Sequence, residues 1–164
     1  VVPAGAEAAQ AECDQIIRLI TEIRTVRAEM NVPPAQKAPV FLKDALPQTL
    51  DHAQRWQEAI GRMARVSEIA PLQGDIPHGS AQAVVDEATL IIPLAGLIDL
   101  DAERARLKKE LGKAEDEVAK TEKKLGNQNF VTRAKPEVVQ EMRERLEAQQ
   151  GECVRLKAAL SRIG

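Results

Sequence analysis

The sequence is poor in residues that bind metal ions or form disulfide bonds. Its 164 residues include two cysteines, Cys13 and Cys153, and two histidines, His52 and His78. A structural zinc site needs closely spaced groups of Cys and His, and these four residues are far apart. Two cysteines in unrelated segments also give no disulfide framework, which favours a reduced, cytosolic protein. We therefore expect no bound metal.

Long hydrophobic runs are also missing. No run approaches the roughly 20 apolar residues that a membrane-spanning helix needs. The N-terminus lacks the basic segment and apolar core of a signal peptide. The chain begins with Val1 rather than Met, and its first residues are typical of the middle of a helix. These features predict a C-terminal piece of a longer cytoplasmic protein that makes no membrane contact.

The motifs of common active sites are absent as well. No glycine-rich phosphate-binding loop of either common type occurs in the sequence, and no Ser or Cys lies in a nucleophile elbow. Most carboxylates lie close to Lys or Arg at helical spacing, as Glu117 does with Lys120, which is typical of an exposed helix. We expect no catalytic residue and no cofactor in this chain.

A heptad pattern dominates residues 97–163. We call its apolar stripe the seam. Its positions alternate in steps of three and four, which is the period of a coiled coil. The outgoing arm has Leu100, Arg104, Leu107, Leu111, Ala114, Val118, Thr121 and Leu125, and the returning arm has Val139, Met142, Leu146, Gln149, Cys153, Leu156, Leu160 and Ile163.

Between the arms, residues 126–136 contain Gly and Asn, which end helices, and a Pro, which begins one. The chain is therefore expected to reverse there. Paired seam residues should have numbers that sum to about 264, as in Leu125 with Val139 and Val118 with Leu146. Each arm would be roughly 40 Å long.

The preceding residues predict a small mixed unit. Residues 6–30 have apolar residues on one helical face, which we expect to pack on helices outside this chain or on a second copy. Residues 46–63 predict another helix, with Trp56 in the core. Strands are predicted at 38–42, where Pro39 indicates a sheet edge, and at 66–70, 81–86 and 89–94, the last two as a hairpin.

The predicted fold class is therefore α+β, a small mixed α/β unit followed by a long antiparallel two-helix coiled-coil hairpin. The expected domains are residues 1–34, 35–96 and 97–164.

The charges are unevenly distributed. Residues 1–100 hold 8 Lys/Arg and 13 Asp/Glu, whereas residues 101–164 hold 15 and 12. The basic half suits an anionic partner, although a mixed-charge coiled-coil surface is the alternative interpretation. Cations around Phe130 at the end of the hairpin suit a nucleic acid, since Lys and Arg neutralise phosphates and a ring stacks on a base. Phe130 could equally close the end of the seam. The candidate binding residues are Lys120, Lys123, Lys124, Asn127, Phe130, Arg133, Lys135 and Arg143.

Five segments carry a family resemblance. The sequences PLAGLIDL (93–100), ERARL (103–107), KLGNQNF (124–130) and PEVV (136–139) resemble the C-terminal end of bacterial valyl-tRNA synthetases. Upstream, IRTVRAEMNVP (23–33) is similar to the last helix of the anticodon-binding helical domain of that family. The resemblance covers nearly the whole chain, and the segments occur in the order found in the family.

The resemblance implies a function for the parent enzyme. Such an enzyme attaches valine to its tRNA with ATP, and it is expected to be monomeric. The catalytic domain, which binds ATP, and the editing domain would lie outside this chain. By resemblance, residues 97–164 are the arm that contacts the outer corner of the tRNA, where the D and T loops meet. The alternative is a coiled-coil protein-interaction or structural module whose seam binds another polypeptide.

Overall fold

A computed structural model describes residues 5–163 of the chain. The chain divides into two compact units. The first extends to Glu103 and also includes Arg162 and Ile163, and the second is Arg104–Ser161. The helices and strands, in chain order, are α1 (Ala6–Glu29), β1 (Ala38–Lys43), α2 (Pro47–Arg55), α3 (Gln57–Met63), β2 (Val66–Pro71), β3 (Ser80–Val85), β4 (Ala88–Pro93), α4 (Leu100–Leu125), α5 (Gln128–Arg133) and α6 (Pro136–Ile163).

The first unit contains a four-stranded mixed sheet in the order β2-β1-β4-β3. β1 runs parallel to β2 and antiparallel to β4, and β3 pairs with β4 as an antiparallel hairpin. Asp86 and Glu87 form its two-residue turn, in which Asp86 has φ 55°. A two-residue hairpin turn needs positive φ, which Asp adopts more readily than most residues. The predicted α+β class, the four strands and the hairpin of the last two strands are confirmed.

The position of Pro39 corrects one prediction. A sheet edge was expected at this residue, but β1 lies inside the sheet between β2 and β4. Its register with β2 shifts between Ala38 and Val40, so Pro39 lies at an irregularity in the ladder. An irregularity accommodates the missing proline N–H as well as an edge does.

The helix predicted at 46–63 is two helices. α2 ends at Arg55 and α3 begins at Gln57, because Trp56 between them has φ −103° and ψ 15°, outside the regular helical range. Hydrogen bonds still cross the break, from Trp56 N–H to His52 O and from Ile60 N–H to Trp56 O. The apolar period therefore continues through the break. Trp56 itself is half-buried.

Helix α1 also corrects a prediction. Its extent agrees with the sequence pattern, but most of its apolar face is buried within the chain, while Ile17 is 59% exposed. Ile16, Leu19, Ile23 and Val26 are at most 3% exposed, and the helix packs on β3, α2 and α3 within the first unit. A sheet of four short strands has an apolar face of its own to cover, and α1 covers it.

The second unit is built from α4, α5 and α6. Every residue predicted on the seam is buried or half-buried, and Leu107 and Leu156, each 1% exposed, are covered most completely among the apolar ones. At the start of α4, Asp99 is the N-cap, since its Oδ1 accepts from the Ala102 N–H at 3.1 Å.

The predicted register of the arms is wrong. Thr121 Oγ1 lies 2.8 Å from Gln149 Oε1, whereas a sum of about 264 would place Thr121 opposite Arg143. The contact corresponds to a shift of about one heptad. Such a shift leaves the same residues on the seam, so the heptad pattern fits both registers. The short helix α5 lies between the two arms and was not predicted.

Candidate nucleic-acid interface

The end of the second unit concentrates positive charge. We call residues 123–136 the tip segment. It contains Lys123, Lys124, Arg133 and Lys135 and no Asp or Glu. Within residues 5–163, none of these four side chains forms an ion pair with a carboxylate. The tip segment therefore carries four cations that are not neutralised by the described part of the chain.

Local sequence determines the shape of the tip segment. The Asn127 side chain caps α5, with its Oδ1 accepting from the Asn129 N–H at 3.1 Å and the Phe130 N–H at 3.5 Å. The helix ends at Arg133, and its C-cap Ala134 is extended at ψ 151°, two residues before Pro136 begins α6. One turn of helix places Phe130 and Arg133 on the same face.

The ring of Phe130 contacts a cation. Lys124 Nζ lies 5.7 Å from the ring centroid, within the range of a cation–π interaction. Phe130 is half-buried, and it lines an open depression of about 450 Å³ with Asn127 and Arg133. The ring thus covers part of the unit and still leaves a surface open to a ligand.

A second concavity, which we call the tip groove, lies beside this depression and has a volume of about 510 Å³. Thr121 and Met142 lie in it, and most of the charged residues around it are cations. Only one carboxylate, that of Glu117, lines the groove, 3.8 Å from Lys120 Nζ. The lining residues are Glu117, Lys120, Thr121, Lys123, Lys124, Asn127, Met142 and Arg145.

The structure brings together six of the eight predicted site residues. Four line the tip groove, namely Lys120, Lys123, Lys124 and Asn127, and Phe130 and Arg133 line the adjoining depression. Lys135 and Arg143 are exposed and line neither concavity.

Sequence reasoning missed Arg145. It follows Met142 by three residues on α6, so both side chains face the tip groove. The sequence does contain a signal for Arg145. A residue three positions after a seam residue lies beside it on the same helical face, and Met142 is on the seam.

Comparisons with known proteins identify relatives of the chain. Residues 99–164 match the sequence model of a family described as the valyl tRNA synthetase tRNA binding arm. The chain is 58% identical over 158 residues to the valine–tRNA ligase of Gluconobacter oxydans, 57% over 157 residues to that of Granulibacter bethesdensis, and 51% over 158 residues to that of Zymomonas mobilis. Each match covers 96% of the chain. The chain belongs to the valyl-tRNA synthetase family. It spans 18% of the length of these relatives.

The tip groove and the tip segment both lie within the part that matches the tRNA binding arm of the valyl-tRNA synthetase family. No group of three or more His, Cys, Asp or Glu among residues 5–163 is arranged to hold a metal ion. Over the same residues, no helix is both long and apolar enough to cross a bilayer.

Proposed function

We propose that this chain is the tRNA-binding C-terminal region of a valine–tRNA ligase. Its two long helices would form an antiparallel coiled-coil arm whose tip segment contacts the outer corner of the tRNA, at the D and T loops. The observation that carries this proposal is the cluster of unneutralised cations around Phe130, located within residues that match a tRNA binding arm.

The coiled coil is supported by burial and by direct contacts. Seam residues of α4 and α6 are covered along both helices. The Thr121 and Gln149 side chains meet at 2.8 Å, and Gln150 Nε2 donates to Glu122 Oε1 at 3.5 Å. The tip groove is lined from the C-terminal half of α4 and the N-terminal half of α6. Antiparallel helices bring these two halves together.

The chemistry of the tip suits RNA. Lys123, Lys124 and Arg145 beside the tip groove would neutralise backbone phosphates. The open side of Phe130 offers a face on which an unpaired base can stack. Lys124 contacts the ring through a cation–π interaction and helps to hold it in place. Asn127 caps α5 and thereby positions Phe130, so it acts on binding through the ring.

The chemistry of the parent enzyme would reside outside this chain. We propose that valine and ATP bind in domains that the chain does not include, and that the enzyme is cytoplasmic and monomeric. In this interpretation residues 1–34 contain the last helix of the anticodon-binding domain, residues 35–96 form a linker unit, and residues 97–164 form the arm.

The test replaces Lys123, Lys124, Arg133 and Lys135 with Gln together in the full-length ligase. The matched control replaces Lys108, Lys109, Lys113 and Lys157, which are also exposed and lie in the same unit, and therefore removes equal charge. Affinity for tRNA is measured by fluorescence anisotropy at several KCl concentrations. Loss of about four phosphate contacts should reduce the slope of log K against log salt by about 3 to 4.

We expect the tip variant to bind tRNA much more weakly than the control variant, with helical content unchanged in both. An equal loss of tRNA affinity in both variants would show that the effect comes from net charge and not from a contact at the tip segment. An unchanged slope in the tip variant would refute the proposed contact.

The alternative function, a module whose seam binds another polypeptide, is less well supported. Such a module needs a free seam, and the seam residues described here are already covered within the chain.

A further inference from the structure

A second basic concavity lies in the first unit, where nothing yet assigns a ligand. It has a volume of about 280 Å³ and is lined by three arginines, Arg24 and Arg27 on α1 and Arg65 after α3. We call it the arginine pocket. Its walls are completed by apolar side chains that include Val32, Pro34 and Met63. Met63 is 58% exposed.

The charge in the arginine pocket is not compensated. No Asp or Glu is among the residues that line it. Within the described range 5–163, neither Arg24 nor Arg65 forms an ion pair. The first 100 residues contain 13 acidic side chains against 8 basic ones. A pocket lined by three arginines and no carboxylate is therefore an exception in an acidic part of the chain.

Arg27 lies close to both of the other arginines. Arg24 and Arg27 are one helical turn apart, where like charges repel. Arg27 Nη1 donates to the carbonyl of Arg65 at 3.2 Å, which ties the two residues to each other. Burial lowers the pKa of the Arg27 guanidinium, and the charge of Arg65 lowers it further. A bound anion would relieve this repulsion.

The backbone of Arg65 determines where its side chain lies. Its φ is 54°, in the left-handed region that glycine and asparagine adopt most easily. Arg65 directly follows Ala64, the C-cap of α3, a position at which helices commonly end in this left-handed conformation. Here the conformation places an exposed guanidinium at the pocket.

We propose that the arginine pocket binds a phosphate group, with Arg24 and Arg65 as its ligands and Arg27 as the buried residue that positions Arg65. Guanidinium groups match phosphate oxygens in geometry as well as charge. The phosphate comes either from a nucleic-acid backbone or from a free phosphate compound. The site is separate from the tip segment and does not depend on the function proposed for it.

The experiment follows the Nε–Hε signal of Arg27 by NMR in the chain labelled with ¹⁵N-arginine. Three probes are titrated at constant ionic strength: inorganic phosphate, adenosine monophosphate and a ten-nucleotide single-stranded RNA. Arg24→Gln and Arg65→Gln are combined in one variant. Arg62→Gln is the matched control, because Arg62 is exposed nearby, pairs with Glu58 and does not line the pocket. The RNA titration is repeated in the tip variant, which keeps the arginine pocket.

In the unmodified chain we expect the Arg27 Nε–Hε signal to shift and to saturate as the probe is added. Affinity should fall about tenfold for each arginine removed and change less than about twofold in the control. Tighter binding of the RNA than of phosphate, retained in the tip variant, identifies the nucleic-acid backbone as the source. Equal binding identifies a free phosphate compound. No saturable shift with any probe, or the same affinity in the double variant as in the control, overturns the proposal.

Discussion

Replacing Arg27 with Met should destabilise the first unit strongly. Arg27 is 7% exposed. Its Nη1 donates to Arg65 O, and its Nη2 donates to Pro33 O at 3.1 Å and to Gln36 O at 2.6 Å. These bonds join α1 to the segment that follows it and to the start of β2. Methionine keeps most of the aliphatic packing and removes all three bonds, so the variant isolates the guanidinium.

The three acceptors are affected unequally. Arg65 O also accepts from the Ala38 N–H at 3.1 Å, and Pro33 O also accepts from the Gln36 N–H at 3.0 Å. Among the described residues, Gln36 O has no second donor. One orphaned carbonyl costs about 1 to 3 kcal/mol, and two further bonds to a charged donor add about 1 kcal/mol or more each. Removing a buried charge that faces Arg65 offsets part of this, which leaves a net loss of about 3 kcal/mol.

Urea denaturation followed by Trp56 fluorescence measures this loss, because Trp56 is the only tryptophan and lies in the same unit as Arg27. The control is Arg24→Met, an exposed residue on the same helix, which should change the free energy of unfolding by less than about 0.5 kcal/mol. A loss below about 1 kcal/mol for Arg27→Met would refute the reasoning, since the carbonyls would then be satisfied without the guanidinium.

Two further predictions concern the arm and the sheet. A double-mutant cycle with Thr121→Ala and Gln149→Ala should give a coupling energy of about 0.5 to 1 kcal/mol, whereas Thr121→Ala with Arg143→Ala should give none; the reverse result would restore the register expected from the sequence. The hydrogen bond and charge of Arg18 lower the pKa of Asp86, so the pair stabilises the fold above the unfolded-state pKa of Asp86, and this stability is lost as the pH falls through the lowered native pKa. Arg18→Gln should therefore be less stable than the unmodified chain at neutral pH, with the difference disappearing in acid. A difference that persists in acid urea titrations would show that Arg18 acts through something other than Asp86.

The seam was predictable from the sequence, and its register was not. Residues such as Leu107 and Cys153 are identified by a period of three and four, which any register preserves. The true alignment depends on how much chain the reversal uses. That length was hidden because α5 is only six residues long, too short for a periodic pattern.

The break at Trp56 was hidden for a related reason. Backbone hydrogen bonds continue across it, so Ala53 and Ile60 keep the same apparent spacing on either side. Pro39 misled in the opposite direction, because its missing N–H fits both an edge strand and an irregular ladder. In both cases the sequence constrains hydrogen bonding, and tertiary packing chooses among the backbones that satisfy it.

The candidate site was partly predictable. Charge density alone identified the cations of the tip segment, since no carboxylate interrupts them. Arg145 lies on the other helix, and its place in the tip groove depends on the register. The arginine pocket could not be predicted at all, because its three arginines come together only through the packing of α1 against the region after α3.

Cys153 gives the second unit a buried thiol, whereas Cys13 in the first unit is half-buried. The Cys153 thiol is 9% exposed on the seam, so reagents that modify thiols reach it readily only when α4 and α6 separate. The rate of its modification therefore measures how often the arm opens locally. Trp56 reports on the other unit, so the motions of the two units can be followed independently once Cys13, the half-buried thiol of the first unit, is replaced by Ser.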